Sequence, residues 1–284
     1  MAANTGRLAV ISTPIGNLGD LSPRARDELA AAELVAAEDT RRTGQLLTTL
    51  GLNRPLVSLH EHNESERIGE LLEKLRAGAR IALVSDAGTP LLSDPGFELV
   101  RRVAQEGLSV VAVPGPSAIT AALSIAGLPT ERFSFEGFLP ARLAERRTRL
   151  AELAAESRTL VFFEAPHRIA ESLEDMVNAF GAGRRAAVAR ELTKVFETVY
   201  RGSLESLASQ ARSDANFTRG EITVVVEGAP RAAADPARAQ LDATLQVLLS
   251  ELAPSKAAAL AARLTGAKRN EAYARALELT RDRS

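Results

Sequence analysis

Short apolar runs, each followed by a loop of Gly, Pro and Asp and then by an amphipathic stretch, recur along most of this chain. That rhythm restricts the fold more than any other feature. A four- to six-residue apolar run is suited to a strand covered on both faces, and joining such strands in parallel requires a helix between them. Residues 8–12 read as the first strand and residues 14–20 (PIGNLGD) as the loop after it. Ser22-Pro23 then supplies a cap and a first helical turn. Residues 56–59 read as a strand, followed by a helix to about Ala77 that Gly78 stops. Residues 80–85 are a strand, 95–106 a helix closed by Gly107, and 109–113 a further strand. The first half is therefore expected to be a mainly parallel sheet covered by helices.

The pattern changes at residues 114–117 (PGPS), where a helix to about Ala126 begins. Strands are expected at residues 160–164, 186–191 and 222–227, with 195–200 as a hairpin partner and a helix over 166–180. This spacing predicts a mixed sheet with its own helices. Residues 228–236 (GAPRAAADP) read as a linker, and helices are expected at 239–252, 255–264 and 268–279. The organisation is thus an α/β domain over 1–115, a second α/β domain over 116–229, and a linker with a small helix-turn-helix-like domain over 230–284.

Composition excludes several classes. A formal net charge of −1 over 284 residues gives no global attraction to a polyanion, so any nucleic-acid contact must come from local basic patches. The absence of cysteine rules out disulfides, thiolate nucleophiles and cysteine-bound zinc. The opening MAANTGRLAV lacks the features of a secretory signal, and no apolar run is long enough to span a membrane. A cytoplasmic protein is the expectation.

The loop at 84–96 (VSDAGTPLLSDPG) follows a strand and contains two aspartates and no Lys or Arg. Such residues are also ordinary turn formers. As a ligand loop it is poorly suited to phosphate, which is held by helix-start amides commonly assisted by Lys, and neither GxGxxG nor GxxxxGK[ST] occurs. A ligand with hydroxyls, an amino group and a positive sulfonium suits it better; S-adenosylmethionine has all three. Residues 13–20 (TPIGNLGD), 114–118 (PGPSA) and 162–168 (FFEAPHR) are loops of similar character, placed to meet in one cleft between the halves.

These loops, with AAEDTRRT at 36–43, LHEHNE at 59–64, FEGFLP at 135–140, ARELTK at 189–194 and RGE at 219–221, resemble one family in register. It is the small-subunit ribosomal RNA cytidine 2′-O-methyltransferases of the tetrapyrrole-methylase superfamily, and the resemblance spans roughly residues 7–228 and continues into the tail. It implies a two-domain α/β tetrapyrrole-methylase-like fold (class III S-adenosylmethionine methyltransferase) with a small C-terminal helical domain. S-adenosylmethionine is then the cofactor, folded into the interdomain cleft. A homodimer and a decoding-centre cytidine of 16S ribosomal RNA in the small subunit are implied as well. Carried across, the cofactor residues are Pro14, Asp86, Ala87, Gly88, Thr89, Ser117, Ala118, Phe163, Glu164, Gly220 and Glu221.

Methyl transfer to a ribose hydroxyl needs alignment and a way to remove the hydroxyl proton. Lys194 and Glu191 at a strand end are the candidate catalytic pair. Lys194 is a base only if its pKa is lowered, and otherwise the two form a structural ion pair. His60 and His62 lack a third ligand for zinc and, with Asn63, read as substrate contacts. Asp39 and Arg41 read as ribose contacts or a helix cap, and His167, Arg168 and Arg190 as substrate contacts. Two basic patches are candidate RNA surfaces. One is Arg142, Arg146, Arg147 and Arg149. The other is the tail, with Lys268 and Arg269 among seven Lys and Arg against three acids from Pro254 onward. A tetrapyrrole C-methyltransferase and a noncatalytic module binding RNA and an adenosine-like ligand are the competing readings.

Overall fold

The structure, a computed structural model, describes residues 6–60, 64–230 and 236–281. His62 and Asn63 lie outside the described residues. The chain divides into two compact units, Met1–Ala229 and Pro230–Ser284.

The first unit holds two five-stranded sheets. In the first, β1 (Arg7–Ile11), β2 (Leu34–Ala37), β3 (Leu56–Ser58), β4 (Arg80–Val84) and β5 (Ser109–Val113) lie in the order β3-β2-β4-β1-β5. Every pairing is parallel. Helices α1 (Pro23–Ala31), α2 (Thr40–Thr49), α3 (Glu64–Arg76) and α4 (Phe97–Gln105) make the crossovers. Their apolar faces enclose the sheet: Leu71, Leu75 and Leu99 pack with Leu8, Ile81 and Leu83, while Leu29 and Leu47 pack with Ile11, Val35 and Val84. Ser22 begins α1 as expected, its hydroxyl accepting the Ala25 N–H at 3.1 Å, with Pro23 in the first turn. The sequence rhythm does not reveal β2. Its four residues, LVAA, have weak strand preference, and they become a strand because β3 and β4 pair with both edges.

The second sheet runs β6-β7-β10-β8-β9, built from β6 (Phe133–Phe138), β7 (Thr159–Glu164), β8 (Arg185–Arg190), β9 (Thr198–Ser203) and β10 (Ile222–Val226). It is mixed: β6 and β7 are parallel, and the other pairs are antiparallel. Residues 133–138 form an edge strand that the sequence rhythm does not single out, and the register slips between Phe135 and Gly137. Such irregularity is tolerated at an edge. The helices are α5 (Ala118–Ala126), α6 (Leu143–Leu153), α7 (Ile169–Phe180) and α8 (Leu204–Ser213). Ser203 caps α8, a helix the strand-dominated sequence around it conceals, by accepting the Ser206 N–H at 3.2 Å.

The arginines of α6 are not a phosphate-binding patch. Arg146 is buried, and its Nε donates to Asp175 of α7 at 2.7 Å; Arg147 donates to the same carboxylate at 2.9 Å. Arg149 pairs with Glu136 and Glu152 at 2.7 and 2.8 Å, and Arg142 with Glu145 at 3.1 Å. Each positive charge already meets a carboxylate, so this cluster holds helices and sheet edge together.

The second unit comprises α9 (Pro236–Leu248), α10 (Pro254–Thr265) and α11 (Arg269–Arg281). Small side chains let its helices approach: Ala257, Ala258, Ala261, Ala272 and Ala276 form the core with Leu241 and Leu245. Arg275 reaches Asp242 through two bonds of 2.8 and 2.9 Å and Glu278 at 2.6 Å. Lys256, Arg263, Lys268 and Arg269 are exposed. Among the described residues, no helix is long and apolar enough to cross a membrane.

Candidate active site

The loops that leave the first sheet at the carboxyl ends of its parallel strands gather at one edge, the usual ligand position of such sheets. They are tied together by main-chain bonds. The Thr13 N–H donates to Gly88 O at 2.9 Å and the Gly88 N–H to Thr13 O at 3.0 Å, joining the first loop to the VSDAGTPLLSDPG loop. The Thr89 hydroxyl donates to Pro116 O at 3.1 Å and lies 2.9 Å from the Ser12 hydroxyl, which brings in PGPSA. Gly88 and Thr89 therefore shape the floor of the site as part of its frame. Pro14 lies half-buried beside Thr13. Asp86 is held from the neighbouring strand end: it accepts the Asp39 N–H at 3.0 Å, and Arg42 lies 3.3 Å from its other oxygen.

The second sheet supplies the facing wall through its register. Phe138 pairs with Phe163, Phe163 with Thr223, Glu164 with Ile222, and Ile222 with Arg190, so four strand ends meet in one row. A cavity of about 420 Å³ opens between this row and the loops of the first sheet. Asp86, Ala87, Ala118, Phe163, Glu164, Gly220 and Glu221 all line it. Ser117 lines an adjoining depression with Thr193 and Ile15. The Phe163 ring is fixed by edge-on contact with Phe135 (centroids 4.8 Å apart) and tilted contact with Phe138 (5.6 Å). Glu164 is buried, and its carboxylate accepts the Ala165 N–H at 2.8 Å and the Ser172 hydroxyl at 2.5 Å.

The segment 191–197 closes one side. Glu191 and Thr193 adopt positive φ of 52° and 65°, conformations that non-glycine residues hold only under constraint. The Lys194 ammonium donates to Glu191 at 2.8 Å and lies 3.2 Å from Glu221. Burial opposes its charge, but the two carboxylates outweigh burial and hold its pKa above the ordinary lysine value. Hydrogen bonding from Lys194 in turn lowers that of Glu191. The pair is a stable ion pair, and Lys194 stays protonated. Gly16 allows this arrangement, because a Cβ there would overlap Lys194 Cγ.

Several expected substrate residues have structural duties. Arg168 donates to Leu139 O at 2.6 Å, and its Nε lies 3.2 Å from Glu164 without hydrogen-bond alignment. Arg190 is nearly buried and donates to Phe196 O at 3.1 Å, bracing the 191–197 segment. Asp39 caps α2 by accepting the Arg41 N–H at 2.8 Å and also pairs with the Arg41 side chain, which pulls the Asp39 pKa well below the usual carboxylate range. His60 and His167 are exposed, and Lys268 and Arg269 belong to the second unit.

Among the cavity-lining residues not assigned to the cofactor from sequence are Glu38, Arg42, Asp94 and Phe138. Burial and the nearby Asp86 charge raise the pKa of Glu38. Burial and Glu38 push that of Asp94 up to about 6. The signal for Asp94 was present in the quoted loop as an acid with no neighbouring cation.

A family profile described as Tetrapyrrole (Corrin/Porphyrin) Methylases matches residues 7–208, and one described as RsmI C-terminal HTH domain matches residues 235–280. Relatives named Ribosomal RNA small subunit methyltransferase I align almost end to end. The protein of Xylella fastidiosa (strain Temecula1) is 53% identical over 94% of this chain and 98% of its own. Those of Pseudomonas aeruginosa and Escherichia coli O157:H7 are 51% and 48% identical, over 97% and 96% of this chain and 98% and 95% of theirs. The chain belongs to the ribosomal RNA small subunit methyltransferase I family. It is an S-adenosylmethionine-dependent methyltransferase. Solved structures of the uroporphyrin-III-C-methyltransferase of Thermus thermophilus (TM-score 0.56, 21% identity, 78% of this chain and 94% of that one) and of diphthine synthase (TM-score 0.58, 16%, 78% and 90%) share its fold. The cavity suits that cofactor chemically. Among the described residues, its wall carries Glu38, Asp86, Asp94, Glu164 and Glu221 against one cation, Arg42, which favours a sulfonium and disfavours phosphate.

Proposed function

We propose that this chain methylates the ribose 2′-hydroxyl of a decoding-centre cytidine in 16S ribosomal RNA. S-adenosylmethionine would be held by Asp86, Ala87, Ala118, Phe163, Gly220 and Glu221. The acidic cavity wall is the observation that carries this reading, together with what the relatives' names say of them. A tetrapyrrole bearing many carboxylates calls for a cationic pocket, and among the described residues one arginine beside five acids does not provide it. A ribose hydroxyl is neutral and needs hydrogen-bond and proton acceptors, which the wall supplies in excess.

The bound cofactor supplies an electrophilic methyl on positive sulfur. The chain's own residues then have three tasks. The tied loops and the Phe163 ring fix the geometry of the cleft, so that donor and acceptor meet in line. Asp86, anchored by the Asp39 N–H and Arg42, presents a fixed negative charge in the cavity wall. The 191–197 segment, locked by Lys194, closes the side of the cleft toward Gly16. Exposed Lys256, Arg263, Lys268 and Arg269 supply phosphate contacts outside the cleft. Assembly as a homodimer belongs to the same proposal, and sedimentation equilibrium reads it directly.

The deciding experiment supplies labelled S-adenosylmethionine with small ribosomal subunits lacking the modification. A ribose methyl blocks alkaline cleavage, so label is expected in an alkali-resistant dinucleotide. Label entering a tetrapyrrole and no RNA overturns the reading.

A further inference from the structure

An acidic cleft sets an electrostatic problem for an RNA substrate. The 2′-hydroxyl that accepts the methyl group and the phosphodiester on the adjacent 3′-carbon belong to one ribose. The oxygen therefore cannot enter the cleft without bringing a phosphate to its wall. Among the described residues, Glu38, Asp86, Asp94, Glu164 and Glu221 line that wall. An unmatched phosphate there meets like charge in a part-buried setting, where salt and water screen poorly. A cation in the wall, with donors to spare, resolves the conflict.

The cations around the cleft separate by what each already holds. Lys194 is clamped between Glu191 and Glu221. Arg168 is committed to Leu139 O and Glu164, and Arg190 to Phe196 O. Arg41, the substrate contact expected from sequence, turns back onto Asp39 through two bonds of 3.2 and 2.8 Å. Arg42 differs. It lines the cavity, its side chain is 68% exposed, and Asp86 lies 3.3 Å from its Nη1. A guanidinium carries five N–H donors in a rigid fork, so one carboxylate oxygen leaves room for a bidentate phosphate contact. Asp86 is itself held by the Asp39 N–H at 3.0 Å and anchors the guanidinium from one side. Asp39 also takes the Arg41 N–H at the start of α2, so the Arg42 side chain, and not the helix end, is left to meet an anion.

We propose that Arg42 binds the phosphodiester 3′ to the target ribose, an inference that rests on ribose methylation as the reaction. A bidentate contact fixes both the position and the rotation of a phosphate. The sugar is joined to that phosphate through its 3′-oxygen, so holding the phosphate restricts where the 2′-oxygen lies. Arg42 thus positions the acceptor without exchanging a proton with it, and a nucleoside lacking the phosphate forfeits the contact.

The test compares the unaltered protein with R42A, R42K and R42E on small subunits lacking the modification. For R42A, KM for subunits is expected to rise about tenfold with kcat within about threefold, because a contact made equally in ground and transition states affects binding alone. The slope of log K against log salt should fall by about 0.7, the contribution of one single-strand phosphate contact. R42K keeps the charge and should keep the slope, whereas R42E should bind subunits more weakly than R42A. Calorimetric affinity of R42A for S-adenosylmethionine should stay within about threefold, since an exposed ion pair contributes little.

Subunits reconstituted with 16S ribosomal RNA carrying a neutral methylphosphonate 3′ to the target nucleotide locate the contact. On them the unaltered protein should lose about tenfold, and R42A less than about twofold further. Weaker cofactor binding by R42A with unchanged KM and salt slope assigns Arg42 to holding Asp86 alone and overturns the proposal. A tenfold loss in R42A that persists on the methylphosphonate overturns it as well. Neither result bears on ribose methylation itself. Absence of RNA methylation by the unaltered protein overturns that reading, and the phosphate contact with it.

Discussion

Replacing Gly220 by alanine separates two costs that usually arrive together. Gly220 has φ +77°, and a Cβ built there overlaps the carboxyl group of Glu191. Gly51 has nearly the same φ, +71°, but a Cβ there meets nothing within 4 Å. G51A therefore reports the conformational penalty alone, about 1–2 kcal/mol for an L-residue in the left-handed region. G220A carries that penalty and also displaces Glu191, which loses its bonds from Lys194 at 2.8 Å and from the Glu221 N–H at 2.9 Å. A charge-assisted bond contributes about 1.5–3 kcal/mol and a neutral one about 1, but both partners here retain access to water. An extra loss of about 1–2 kcal/mol is the reasonable outcome. Urea unfolding of the two variants should differ by that amount. Calorimetry should show G220A binding S-adenosylmethionine about tenfold more weakly, because Leu192, Gly220 and Glu221 line the cavity, with G51A unchanged. Equal stabilities and equal affinities would refute the reasoning, since the Glu191 clamp would then have no bearing on either fold or site.

Other consequences follow from the ion pairs. K194R keeps the cation between Glu191 and Glu221, so turnover should stay within about fivefold and the acid limb of the rate profile should not move; a base role for Lys194 requires loss of activity. R146A leaves the buried Asp175 short of its partner and should cost about 3–5 kcal/mol by chemical denaturation. Although burial opposes the Asp175 charge, hydrogen bonds from Arg147 and Arg146 hold its pKa below the ordinary value. Its stabilisation is thus fully present above the unfolded-state pKa and is lost as pH falls through the lower native value. Asp94 has the opposite sign. Raised to about 6, it favours the folded state only when protonated, so D94N should be more stable than the unaltered protein at pH 8, with the gain fading toward pH 4. Reversing Lys268 and Arg269 to glutamate should lower RNA affinity across sequences and reduce the slope of log K against log salt by at least about 1.4, the contribution of two single-strand phosphate contacts. An unchanged slope would remove the tail from the RNA surface.

Much of this molecule is legible in one dimension because its signals are local. The Ser22-Pro23 cap, the apolar 80–85 run and the Gly- and Pro-rich loops each bias a few adjacent residues, and the structure realises them within a residue or two. The strand LVAA at 34–37 is the instructive omission. Nothing in those four residues demands a strand, and β2 exists because two neighbours pair with it. The loop at 84–96 was recognisable as a ligand loop, but the separate fates of its two acids were not. Asp86 is matched with Arg42, whereas the charged groups that face Asp94 among the described residues are Glu38 and Asp86.

The same limit governs the arginines. Sequence shows four positive charges within eight residues at the start of α6, and only the tertiary structure brings Asp175, 29 positions from Arg146, against Arg146 and Arg147. Arg168 and Arg190 are likewise committed to carbonyl oxygens of Leu139 and Phe196. By itself, then, the sequence determined most of the succession of strands and helices, with β2, β6 and α8 missing from it, the loops that build the cleft and the family to which the chain belongs. Local backbone preference and motif spacing are properties of neighbouring residues. The tertiary structure alone decided which charges are neutralised and which remain free, because electrostatic pairing depends on a few ångströms between residues far apart in the chain, and on how much water is left around them.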